Sequence, residues 1–231
     1  MALLTLDGLK FLLRWFHIFF GVIWIGHLYY FNFVQGAFFA ETDAGTKSAA
    51  IQKLVPRALW WFRWGAMWTL VTGLLLFSVI SHQLGPVFMM SSRGVIISMG
   101  MMFGLVMWAN VWLIIWPNQK VVIASATQVA QGKPAIPEAA ALGAKAGLAS
   151  RHNVLFSIPM LFLMAGANHL PIQIGPQTKT GLLFGLFGGL LLLLELNAIK
   201  GKLGLITTVK GVVTWGFVLT AVVYAMLEFC A

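Results

Sequence analysis

Long apolar runs alternate with short polar stretches along the whole chain. A helix needs about 20 apolar residues to cross the hydrocarbon core of a bilayer. Six segments meet that length: residues 9–34, 58–80, 94–117, 152–170, 181–199 and 206–229. The fourth is short and opens beside Arg151-His152-Asn153. The first is too long for the apolar region of a signal peptide, and no small-residue cleavage site follows it, which predicts an uncleaved span. The pattern therefore predicts an all-α polytopic bundle of about six spans, forming a single integral membrane domain over residues 1–231. The loop 118–151 is the only substantial piece outside the bundle. Within it, Gln119–Gln131 predicts a short surface helix, Gly132-Lys133-Pro134 breaks it, and the Ala-rich run Pro137–Ala149 predicts a second.

Composition sharpens this picture. The chain is 60% hydrophobic and 9% charged, with a mean hydropathy of +0.89. Soluble domains carry about 45–50% apolar and about 25% charged residues, so a soluble enzyme and a disordered chain are both excluded. The net charge of +9 would suggest nucleic acid in a soluble protein. Here the basic residues sort by side instead. Eleven lie in or beside the first, third and fifth loops, against four (Lys10, Arg14, Arg93, Lys179) on the other side. The positive-inside rule then places both termini outside and the loop 118–151 in the cytoplasm, although Lys10 and Arg14 pull against that orientation. The lipid bilayer is the expected partner, and no nucleic acid is needed. The single cysteine, Cys230, excludes an internal disulfide, a Cys-based zinc site and a CxxCH haem attachment.

Candidate chemistry rests on the histidines. An ionisable residue inside a membrane is a functional candidate, because its burial is costly unless it is paired or ligating. His17 and His27 lie on the first span, 10 residues apart, which is about 15 Å of rise and a rotation near 80°. His152 and His169 bracket the fourth span in the opposite sense, 17 residues apart, about 25 Å along the axis. Antiparallel packing of the two spans brings His17 toward the level of His169 and His27 toward that of His152. That layout suits axial ligation of haem b, one or possibly two, between helices. Arg14 on the outer side, and Arg63 and Arg151 on the inner side, could pair haem propionates. Gly21, one turn from His17, would leave room for a flat macrocycle. Against this stands a plain structural role, each histidine bonding a carbonyl or hydroxyl on a neighbouring helix. His82 reads as an outer-loop residue that could replace His169.

Other features read as packing. Trp60, Trp61, Trp64 and Trp68 suit an interfacial belt. Gly181, Gly185 and Gly189, and likewise Gly100 and Gly104, form small-residue stripes that predict close helix contact. Met99, Met101, Met102 and Met107 suit gap-filling better than copper binding. Glu195, near Asn197 and Lys200, could serve a proton path or an ion pair with Lys200 or Lys202. No phosphate-binding loop, HExxH or GxSxG motif is present.

Three blocks carry a family resemblance. Arg14-Trp15-Phe16-His17-Ile18-Phe19-Phe20-Gly21 with Ile23-Trp24-Ile25-Gly26 resembles the first helix of the cytochrome-c-linked membrane urate oxidases, also called urate hydroxylases. Val111-Trp112 with Trp116-Pro117-Asn118-Gln119-Lys120 resembles a helix-end motif of that family. Ser150-Arg151-His152-Asn153, followed by Ile158-Pro159-Met160 and Asn168-His169, is similar to a third block. His17, His152 and His169 fall on motif positions, whereas His27 matches none. The resemblance implies an N-terminal membrane domain that, in longer members, precedes a cytochrome c domain and oxidises urate to 5-hydroxyisourate. Lacking CxxCH, this chain is expected to be without that domain and to pass electrons to an external cytochrome c or another redox subunit. The expectation is a b-haem electron-transfer protein of a bacterial inner (cytoplasmic) membrane, working within a hetero-oligomeric complex. The alternatives are a urate hydroxylase and a non-catalytic accessory subunit of a respiratory or photosynthetic complex.

Overall fold

Six helices in the computed structural model are long and apolar enough to cross a membrane. The structure describes residues 2–175 and 177–231, and no strand occurs among them. In chain order the main helices are α1 (Leu6–Glu41), α2 (Ala44–Lys53), α3 (Val55–Leu84), α4 (Ser92–Ala130), α5 (Ala139–His169), α6 (Thr180–Lys200) and α7 (Val209–Cys230). All but α2 are the candidate spans. Side-chain caps start four of them, Thr5 for α1, Asp43 for α2, Ser91 for α4 and Thr208 for α7. Each accepts a bond from a backbone N–H three residues on. Gly85, at φ 71°, closes α3 in a conformation that other residues rarely adopt.

Two helices run further than hydropathy suggests. The stretch Gln119–Gln131 is no separate surface helix. It belongs to α4, which continues through Pro117 to Ala130. A π-helical stretch, Asn110–Ile115, lies directly before that proline. Its wider register absorbs the missing donor, so the helix passes through instead of ending. The Ala-rich run likewise merges into α5, which is continuous from Ala139 to His169 with Pro159 inside it. A second π-helical stretch, Tyr30–Gln35, lies within α1.

Small residues set the helix contacts. A Cβ on Gly65 of α3 would lie 3.0 Å from the Trp24 backbone nitrogen of α1, so these two helices cross almost backbone to backbone. Gly100 of α4 does the same against Leu163 of α5, where a Cβ would meet the Leu163 side chain at 3.2 Å. The rings of Phe103, Phe156 and Phe187 join α4, α5 and α6, with centroids 5.7 and 5.2 Å from Phe103. The Gly181–Gly185–Gly189 stripe behaves differently from expectation, because nothing lies within 4 Å of its missing side chains. The buried face of α6 carries Leu183, Phe187 and Leu191. A two-residue offset turns the glycines about 200° away from it. Trp60, Trp61, Trp64 and Trp68 are 36–51% exposed, and Leu193 and Phe217 are among the other apolar side chains that face outward. Such a surface suits lipid.

Candidate functional site

The most developed site lies between α1, α3, α4 and α5, toward the end of the bundle where α1 begins. Two adjoining cavities of about 470 and 430 Å³ share His17, Gly73, Met101 and Met164 on their walls. The deeper one is lined almost wholly by apolar atoms, from Gly21, Trp24 and Gly104 among others. The outer one adds Arg14, Arg93, Asn168 and His169.

His17 stands at the junction. Its Nδ1 lies 2.9 Å from the Thr69 carbonyl of α3. A carbonyl only accepts, so Nδ1 carries the proton and Nε2 keeps its lone pair. The ring fits because position 73 is glycine: a Cβ there would lie 2.8 Å from His17 Cε1 and 3.0 Å from Nδ1. Gly65, Thr69 and Gly73 recur every four residues, a small-residue stripe on which α1 lies.

His169, the last residue of α5, is exposed at the mouth of the outer cavity. Sequence reasoning set His17 and His169 at one level, and the fold brings them to a common cavity. Arg14 and Arg93 line it too, and none of the described residues on its wall is acidic. These residues fit a haem: a flat apolar body within methionine, leucine and glycine walls, two imidazoles for iron, and two guanidinium groups for two propionates. Arg93 was counted by sequence reasoning only as an outer-side charge. Its place at the start of α4, opposite Arg14, depends on helix pairing that periodicity does not reveal. Gly73 and Thr69 were also missed, although their four-residue spacing was a readable signal.

The other histidines go elsewhere. His27 Nδ1 donates to its own helix, to the Ile23 carbonyl at 2.7 Å, and its ring lies in an open groove with Arg57 and Trp61. His152 is 1% exposed. Its Nδ1 donates to the Leu148 carbonyl at 2.9 Å, and its Nε2 accepts from Asn197 Nδ2 at 2.8 Å. Asn197 in turn bonds the Lys202 backbone from both ends of its amide. The fold thus does not bring His27 and His152 to one cavity, and both His152 nitrogens are engaged. His82 lies on the exposed last turn of α3.

The inner arginines part company too. Arg63 stacks on Trp116, with its guanidinium 3.4 Å from the ring centroid, and donates to the Leu59 carbonyl. Arg151 lines a separate cavity. Glu195 takes neither lysine. Its carboxylate accepts from Asn110 Nδ2 at 3.0 Å, and that amide also donates to Asn153 Oδ1 at 2.9 Å. Asn153 closes the chain by donating to the Met107 carbonyl at 2.9 Å.

The His152–Asn197 bond gives a direct prediction. Asn197→Ala leaves a buried imidazole nitrogen without a donor and is expected to cost about 1–3 kcal/mol. Denaturant unfolding in mixed micelles measures it. A loss below about 0.3 kcal/mol would show that the bond does not hold α5 to α6.

The fold and site define a polytopic helical membrane protein with a histidine- and arginine-lined cavity between its spans. The model of the family described as urate oxidase N-terminal matches residues 80–226. The chain belongs to that family. The matched stretch includes Arg93, Asn110, Arg151, His152, His169, Glu195 and Asn197, and it leaves out Arg14, His17 and His27. No curated protein and no solved structure matches the chain.

Proposed function

We propose that this protein is a membrane b-type haem electron-transfer protein in which His17 and His169 would hold a single haem. The observation that carries this reading is the shared cavity, where the free Nε2 of His17, His169, Arg14 and Arg93 converge. Haem bound there supplies a one-electron redox couple. The chain does the rest. Thr69 fixes the tautomer and orientation of His17, as outer-shell acceptors do for ligating imidazoles. Arg14 and Arg93 neutralise anionic groups at the mouth. Apolar walls hold water away and set a low dielectric, which tunes the potential. One haem is favoured over two because His27 and His152 lie apart. The orientation with both termini outside, in a bacterial inner membrane, places the His17 end on the side where an external cytochrome c or partner subunit would take electrons.

An optical spectrum of the full chain purified in detergent tests this. A Soret band with a b-type α-band on reduction is expected, and His17→Ala should abolish it while His27→Ala leaves it. No reducible band, or an unchanged spectrum in His17→Ala, overturns the assignment.

A second reading, urate hydroxylation, is favoured by the family match. Urate and water would give 5-hydroxyisourate, two electrons and two protons, and a haem held by His17 and His169 would supply a one-electron acceptor for them in turn. Anaerobic urate should then make the α-band of the reduced state appear in the purified protein. An oxidised spectrum after prolonged incubation with urate would leave electron transfer from another donor.

A further inference from the structure

A separate cavity, of about 370 Å³, lies toward the opposite end of the bundle and shares no lining residue with the two His17 cavities. Gln35 comes from the end of the π-helical stretch of α1, and Arg151 from α5. Rings of Phe31 and Phe62, in edge contact at 5.5 Å, form part of the apolar wall. Two polar atoms are left over. Arg151 Nη1 and Gln35 Oε1 are both buried without a hydrogen-bond partner. Asn32 and Ser150 do not relieve them, since Asn32 Nδ2 donates to Ser150 Oγ and to the Leu28 carbonyl. Among the described residues no acidic side chain lines the cavity. Among the described residues the one ion pair is Lys10–Asp7, at the far end.

Arg151 is only half-buried, but its Nη1 is out of solvent, and a buried guanidinium nitrogen without an acceptor is costly, as is a buried amide oxygen without a donor. A single guest relieves both if it brings an anionic acceptor to Arg151 and an N–H or O–H donor to Gln35. The apolar wall asks for a carbon body. π-Helical stretches concentrate at functional sites, and here one such stretch supplies Gln35 while the other ends at Ile115 on the cavity wall. We infer that this cavity binds a small organic monoanion that carries a hydrogen-bond donor next to its anionic group. The assignment is independent of the haem reading. The cavity volume falls in the range of ligand sites, about 300–1,000 Å³. The many basic residues in the loops at that end raise the local concentration of anions.

Mandelate and phenylacetate are suitable probes, because they differ only by one hydroxyl beside the carboxylate. Isothermal titration into the full chain in neutral detergent should give saturable binding of both, with mandelate about tenfold tighter. Gln35→Leu should remove that preference and leave phenylacetate unchanged. Arg151→Gln should weaken both by on the order of thirtyfold, with Arg151→Lys, which keeps the charge, in between. Unfolding midpoints of all three variants check that they fold. The inference is overturned by absence of saturable binding, by equal affinities for the two acids, or by equal losses in Arg151→Lys and Arg151→Gln.

Discussion

Gly73→Ala is expected to displace the His17 ring and to destabilise the protein by about 1–3 kcal/mol, the usual cost of forcing a methyl group into a packed site. The added Cβ would lie 2.8 Å from His17 Cε1, inside van der Waals contact. The ring is no free end that can swing away, because its Nδ1 is held at 2.9 Å by the Thr69 carbonyl one turn earlier on the same helix. Relief therefore requires α1 and α3 to move apart, or the hydrogen bond to break. Gly21→Ala is the matched control. It sits on the same cavity wall, yet its nearest contact would be Thr69 Cγ2 at 4.0 Å, so a change within about 0.5 kcal/mol is expected. Two readouts separate packing from ligation. Unfolding in mixed micelles reports the strain. Nitrogen chemical shifts of labelled histidine report whether His17 still carries its proton on Nδ1. Wild-type stability together with an unchanged tautomer in Gly73→Ala would show that glycine is not what seats the ring.

Much of this arrangement could be read from the chain because membranes simplify the problem. Twenty apolar residues in a row have one reasonable use, so the six spans followed from length alone. The common level of His17 and His169, which line one cavity, followed from antiparallel packing and a rise of about 1.5 Å per residue. Depth was readable; direction around the helix axis was not. His27 and His152 were expected at a similar level, yet His27 turns toward a groove with Trp61, and His152 turns toward Asn197. The same gap explains the glycines. Gly100 and the Gly181 stripe have similar spacing, but only Gly100 lies on a face with a neighbour. Helix ends were hidden for another reason. Polar residues after Trp116 read as a break before a separate surface helix, although a helix that leaves the membrane keeps its hydrogen bonds and needs no apolar sequence to do so. The π-helical stretches have no hydropathy signature at all. They set Gln35 and Asn110 toward polar partners or cavities, and only backbone geometry reveals them.

Asn110 carries the second large effect. It is fully buried within the second π-helical stretch, and its amide donates both to Asn153 Oδ1 and to the Glu195 carboxylate. Asn110→Ala removes both donations and leaves two acceptors short of them, the buried Asn153 amide oxygen and the half-buried Glu195 carboxylate. Interhelical hydrogen bonds in membranes average about 0.6 kcal/mol and reach about 1.7, because the unfolded chain in lipid also finds partners. Two bonds, one to a carboxylate that forms no ion pair among the described residues, put the expected loss at about 2–3 kcal/mol. Glu195→Gln should cost less than about 1 kcal/mol, since a glutamine oxygen accepts the same Asn110 N–H and brings no charge. The comparison extends to a double variant. Replacing both Asn110 and Glu195, as Asn110→Ala with Glu195→Leu, removes the stranded acceptor along with its donor. It is therefore expected to be about 1 kcal/mol more stable than Asn110→Ala alone. Strictly additive losses across that cycle would mean that Glu195 is held by solvent or lipid head groups, and that the Asn110 amide is there for Asn153.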